Sequence, residues 1–172
     1  MSEIKDLIED YGIIELKKLF FVECPIKLCQ LPYPGHKNGC PNVGKSKSCP
    51  PFVKRIEEKY NIIDKPCYFV YVKFNLKKQE ERMLKIHSEW TVKQARCNLY
   101  WQKSVKKIIK NEIIHFDYKR YNMSFEMIPE AMGMHVFETA HYHNIPLPRI
   151  IKNYVYKVAF MGELKYNEKG EI

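Results

Sequence analysis

Residues 39–46 read Gly-Cys-Pro-Asn-Val-Gly-Lys-Ser, which satisfies the phosphate-loop pattern G-x-x-x-x-G-K-[ST]. Such a loop works when a buried strand delivers the glycine-rich turn to a helix N-terminus, with Lys and Ser in the first turn. Both flanks here predict otherwise. Upstream, residues 28–38 hold two prolines and a glycine, which is no core strand. Downstream, Lys45-Ser46 is followed by Lys47-Ser48-Cys49-Pro50-Pro51, so a helix can begin only near Pro50. The match reads as accidental.

A second chemistry overlaps the same stretch. Cys24, Cys29, Cys40 and Cys49 are spaced C-x4-C-x10-C-x8-C, and three of them precede proline: Cys24-Pro25, Cys40-Pro41 and Cys49-Pro50. Proline removes a backbone donor and stiffens the turn beside a ligand thiolate, and Cys-Pro pairs recur in iron–sulfur sites. A helix starting at Pro50 would aim its positive end at Cys49 and favour its thiolate. Zinc sites usually show paired C-x2-4-C knuckles, and no such pair of knuckles stands here, which tilts the expectation from zinc toward a [4Fe–4S] cluster. His36, inside the loop, is a substitute ligand should one cysteine drop out. Cys24 is the least secure of the four, because it can equally end a strand. Cys67 and Cys97 read as buried structural thiols. His141 and His143, at a helix end, read as caps for carbonyls rather than as ligands.

The bulk composition bounds the partners. The chain has 172 residues, enough for one domain with a real core, and 45% hydrophobic residues place it among globular proteins. No apolar run approaches the roughly 20 residues of a membrane span. A charged start without an apolar secretory core points to a cytoplasmic protein, where six cysteines are metal ligands or free thiols rather than disulfides. The net charge of +9 favours an anionic partner, such as nucleic acid or an acidic protein. A solvated lysine-rich surface is the simpler account.

The elements that must position these residues follow from periodicity. A short amphipathic helix is expected over 2–11 and a strand start at Leu19–Val22. Residues 24–49 form a long irregular loop, of the kind that a function or a cross-link holds in place. A helix follows from Pro50 to Tyr60. Cys67–Phe74 is the densest β-forming run, and Tyr154–Phe160 is a second. Between them lies a long helical pattern, roughly 77–114, with a weak point at Thr91-Val92. Trp90, Gln94, Cys97, Trp101, Val105, Ile108 and Glu112 fall on one seam of it, beside Ile109 and Ile113. Lys93, Arg96, Lys103, Lys106, Lys107 and Lys110 make a basic flank. A short strand at 122–128 precedes a helix from Pro129 to about Tyr142, with Met132, Val136, Phe137 and Ala140 inward. The order predicts a single domain over residues 1–172 of α+β (or α/β) class. Its small mixed sheet would carry packed helices and a cysteine-rich metal-binding loop near the N-terminus.

The stretch Gly-Cys-Pro-Asn-Val-Gly-Lys-Ser-Lys-Ser-Cys-Pro-Pro-Phe (39–52) resembles the signature of a prokaryotic family of predicted metal-binding proteins of unknown function. A second patch, Pro129-Glu-Ala-Met-Gly-Met-His-Val-Phe-Glu-Thr-Ala, is similar to that family's Glu-Ala-x-Gly-x-x-Val-x-x-Thr segment. Members often carry a further cysteine cluster just before that segment. Here residues 115–133 contain no cysteine, so a two-centre redox role is not expected. The resemblance implies metal binding by Cys29, Cys40 and Cys49, with Cys24, and implies no reaction. Two roles follow. In an enzyme, three cysteines would hold the cluster and leave one iron open, with His36, Lys45 or Glu130 as candidate acid–base groups. In a zinc-stabilised nucleic-acid-binding module, the metal would be structural and the basic helix flank would meet the phosphates.

Overall fold

The computed structural model describes residues 2–31 and 37–165. It starts with one helical turn, α1 (Ser2–Lys5), and strand β1 (Ile8–Leu16). Helices α2 (Pro25–Gln30) and α3 (Ile56–Lys59) bracket the cysteine-rich segment. Strand β2 (Cys67–Asn75) runs straight into α4 (Leu76–Ile86), followed by α5 (Val92–Ala95) and α6 (Gln102–His115). Strand β3 (Met123–Glu126), helix α7 (Val136–Tyr142) and strand β4 (Tyr154–Glu163) complete the order. The strands lie in the order β1-β2-β4-β3, and all three pairings are antiparallel. The class is therefore α+β. The alternative α/β class requires parallel strands joined by helical crossovers, and the sheet expected to be mixed in direction is antiparallel.

Successive strand residues point to opposite faces. From β2, Val70, Val72 and Phe74 pack with Val105, Ile109 and Ile113 of α6 on one face. Cys67 and Phe69 join Ile56 of α3 and Val136 and Ala140 of α7 on the other. A strand covered on both faces has no polar side, which is why residues 67–74 read as a nearly unbroken apolar run. Phe74 stacks on Trp101 at 4.9 Å, and Phe160 meets the edge of Tyr60 at 5.0 Å. Each such buried aromatic contributes roughly 1.5–3 kcal/mol from area alone. The Tyr60 hydroxyl donates to Glu126 Oε1 at 2.9 Å, and burial holds its phenol above the ordinary range.

Several expectations need correction. The helix expected over 2–11 stops at Lys5, because Ile8–Leu16 pairs with β2 as an edge strand. Leu19–Val22 contributes only an isolated bridge, Phe21 to Met134. The long helix 77–114 is broken into α4, α5, a 3-10 turn (Asn98–Tyr100) and α6. The break falls where Thr91 accepts from the Gln94 amide and Gln94 Oε1 accepts from Thr91 N–H, a reciprocal cap that starts a new helix. The expected seam therefore holds only from Trp101 onward. Phe137 is half-buried rather than inward and stacks on His141 at 4.8 Å.

Candidate metal centre

Pro25 occupies the first turn of α2, where its missing N–H costs nothing, and Cys24 is the residue before the helix. Cys29 sits in the last turn of α2. His36 lies outside the described residues. The chain meets α2 again at Gly39-Cys40, where the Cys40 N–H donates to the Cys29 carbonyl at 2.6 Å. Gly39 has a left-handed φ of +78°, and a Cβ there would collide with the Cys29 carbonyl. Both facts restrict the position to glycine. From Cys40 the backbone proceeds in linked turns. Val43 N–H donates to Cys40 O at 3.2 Å, Lys45 N–H to Asn42 O at 3.1 Å, and Cys49 N–H to Ser46 O at 2.9 Å. The Cys49 thiol points back and donates to Asn42 O at 3.4 Å.

This path brings three of the four expected thiols into one neighbourhood. Burial pushes the Cys29 thiol above its usual range, and the nearby charges of Cys40 and Cys49 push it further. Mutual repulsion of that kind is what a bound cation removes, since thiolate ligands and a cation stabilise each other. All three donors are sulfur, a set that suits zinc or an iron–sulfur cluster and not a hard cation. Among the described residues, no group of three or more His, Cys, Asp or Glu side chains is drawn tightly enough to hold a metal ion. Cys24 precedes α2 with an extended backbone (φ −132°, ψ 90°), so it lies outside the helical turn that carries Cys29.

The helix expected at Pro50 is absent. The Pro50–Pro51 peptide is cis, the Phe52 and Val53 amides both close onto the Cys49 carbonyl, and α3 begins only at Ile56. Cys49 therefore faces no helix N-terminus. The start of α3 is set instead by Glu58, whose carboxylate accepts the Arg55 N–H at 3.2 Å.

Arg55 is the residue that sequence reading missed. Its guanidinium donates to Val22 O at 2.9 Å and Glu23 O at 3.3 Å and pairs with Glu57 at 3.0 Å. It thereby ties the backbone just before Cys24 to the chain that follows Cys49. Arg55 also lies against Gly133, where a Cβ would come within 3.0 Å of the guanidinium and φ is +90°. Gly133 O in turn accepts the Val22 N–H at 2.8 Å, and α2 packs on the 3-10 turn Pro129–Met132. The two sequence patches 39–52 and 129–140 thus flank one platform. A charged residue just after a cysteine-proline run was the available signal for Arg55, but nothing in the sequence said which carbonyls it would reach.

The remaining candidates fall elsewhere. Lys45 is exposed, and the Ser46 hydroxyl is engaged by Ser48 at 2.9 Å. The phosphate-loop pattern has α2 upstream and no helix downstream until Ile56, which is not the strand–loop–helix that phosphate binding needs. Glu130 is exposed on its 3-10 turn. Cys67 is buried at the start of β2, and burial pushes its thiol up to about 12. Cys97 is half-buried, because the chain leaves the helix at Arg96 and does not carry Cys97 along the expected seam. His143 Nδ1 donates to Thr139 O at 2.7 Å while its Nε2 accepts the Lys17 N–H at 2.7 Å, and a His141 ring nitrogen meets Leu147 O at 3.0 Å. Both histidines are occupied by backbone groups. No helix among the described residues is long and apolar enough to cross a membrane. Compared with known proteins, the chain matches no family model, no curated protein and no solved structure.

Proposed function

We propose that this is a metal-binding protein that holds one [4Fe–4S] cluster, with zinc as the competing metal, through Cys29, Cys40 and Cys49. The observation that carries this reading is the Cys40–Cys29 backbone contact, which sets Cys40 against α2 with Cys49 near enough for its charge to act on the Cys29 thiol. The platform made by Arg55, Gly133 and the Pro129–Met132 turn gives that segment a fixed base. Closure of the turns from Gly39 to Cys49 onto α2 would complete the donor set. A cluster held by three protein thiolates leaves one iron open to an outside ligand, whereas Cys24 as a fourth ligand would make a closed, structural site.

Anaerobic purification with iron, sulfide and zinc analysis and visible absorption tests this. Cys29→Ser, Cys40→Ser and Cys49→Ser should each lose the metal, and Cys24→Ser should retain it. A colourless protein with one zinc would select zinc over the cluster. A protein with neither metal, whose thiols all titrate freely, would end the metal-binding reading.

A further inference from the structure

The basic flank of the long helical region divides in the folded protein. Arg96 turns inward, where its Nε donates to the nearly buried Glu80 at 2.5 Å, and so leaves the surface stripe. What remains, apart from Lys93 on α5, is Lys103, Lys106, Lys107 and Lys110 on α6, at i, i+3, i+4 and i+7. That spacing keeps them on one helical face over about 10 Å. Lys103, Lys106 and Lys110 meet no carboxylate at ion-pair distance among the described residues. The four lysines line a groove of about 800 Å³ whose other walls include Asn98, Leu99 and Met127. Lys157 of β4 lies opposite Val72, on the side of the sheet that α6 covers. Burial holds it below the ordinary lysine range, Glu130 acts against this, and the charge of Lys106 lowers it further. Positive charge is thus gathered around the groove.

An aromatic stack adjoins, along the chain, the groove-wall residue Leu99. The residue after Leu99 is Tyr100, 45% exposed, whose ring lies 5.0 Å from that of Trp90; Trp90 in turn stacks on His87 at 4.0 Å with a 9° interplanar angle. We propose that the groove along α6 binds single-stranded nucleic acid. The phosphates lie along the Lys103–Lys110 stripe, and a base extends the stack at Tyr100. A membrane surface is flat and would bridge a concave groove rather than enter it. A duplex keeps its bases stacked inside and has none to place on the tyrosine. Lysines along a groove beside a stacking aromatic are the combination that sequence-tolerant single-strand binders use.

Fluorescence anisotropy of the full chain with fluorescein-labelled oligo-dT tests this, over salt from about 50 to about 200 mM. Affinity should fall with a log–log slope of about −0.7 per phosphate neutralised, or near −2 for Lys103, Lys106 and Lys110. Lys103→Gln/Lys110→Gln should make the slope shallower by about 1.4 and weaken low-salt binding about tenfold or more. Tyr100→Ala should weaken binding about fivefold or more with the slope unchanged. Lys17→Gln/Lys152→Gln, away from the groove, should change neither beyond a small general charge effect. Lys103→Arg/Lys110→Arg should bind as the parent does, which separates a lost phosphate contact from a misfolded helix. The proposal is overturned by no binding at low salt, or by equal losses in the groove and control variants. It is also overturned by tighter binding to the oligo-dT·oligo-dA duplex, phosphatidylserine vesicles or poly-glutamate than to oligo-dT.

Discussion

Strand β2 and the segment from Cys24 to Val53 are held by different means. In β2, Phe69, Val70, Val72 and Phe74 have no exposure at all, and the strand is paired on both edges. Between Cys24 and Val53 the only described buried residues are Gly39 and Pro50, and the order comes from short backbone turns. Backbone turns alone add little net free energy, because each amide exchanges a bond to water for one to protein. Burial of apolar area makes the sheet stable without help. The cysteine segment has no core of its own, so its order leans on the platform formed by Arg55 and Gly133. A segment of that kind can change shape while the sheet behind it stays as it is.

The largest effect expected from this contrast is in the core. Phe160→Ala should destabilise the protein by about 3–5 kcal/mol in denaturant unfolding, since Phe160 is fully buried against Tyr60. Cys40→Ser in metal-free protein should cost less than about 1 kcal/mol. Comparable losses from the two would mean that the cysteine segment carries stability without metal, and the contrast would fail.

An intermediate effect is expected at Glu80, which Arg96 and Lys77 both contact at the edge of the core. Glu80→Gln should cost about 1.5–3 kcal/mol, the range for hydrogen bonds to a charged group. The Lys77 hydrogen bond foremost, with that from Arg96, holds the Glu80 carboxyl below its ordinary 4.5 despite burial. The sign follows: the stability is present above pH 4.5 and lost as pH falls through the lowered value. Acid unfolding of Glu80→Gln should therefore show a shallower limb below pH 4.5, with Glu9, also lowered, still contributing. An unchanged acid limb would mean that the Glu80 contacts are not made in solution.

The smallest effect at neutral pH is expected at Cys67. Its thiol is raised from 9.0 to about 12 by burial, so the neutral form stabilises the fold fully below pH 9. That contribution is lost as pH rises through about 12. Alkaline unfolding followed by circular dichroism should be less steep over that window in Cys67→Ala. Tyr60, raised in the same direction, keeps a residual slope in both proteins. Identical alkaline limbs would place Cys67 in a wetter site than the core of β2.

Strands β2 and β4 were legible because β-branched and aromatic residues crowd a short window bounded by turn formers. The same logic misread residues 8–16. Ile-Glu-Asp-Tyr-Gly-Ile-Ile-Glu-Leu has partial helical periodicity, and only the free edge of β2 makes it a strand. Strand formation there depends on a partner nearly 60 positions away, and local propensity does not encode it. Cys24, Cys29, Cys40 and Cys49 stood out as candidates because four cysteines, three of them followed by proline, crowd one segment without regular periodicity. That the Cys40 backbone closes on Cys29 was not legible, since it depends on where the turn at Gly39 sends the chain.

The amino-acid sequence by itself determined the α+β composition, the two central strands, the absence of a phosphate-binding strand–loop–helix around Lys45, and the cysteine inventory. These depend on neighbours within a few residues, where steric preference and periodicity decide. The tertiary structure alone decided that Arg96 leaves the basic stripe for Glu80 and that Arg55 clasps the backbone before Cys24. It alone decided that Gly133 must be glycine against that guanidinium. Each of these joins residues 16 to 78 positions apart, and such a pairing is chosen by which surfaces the core brings into contact rather than by any local preference of the chain.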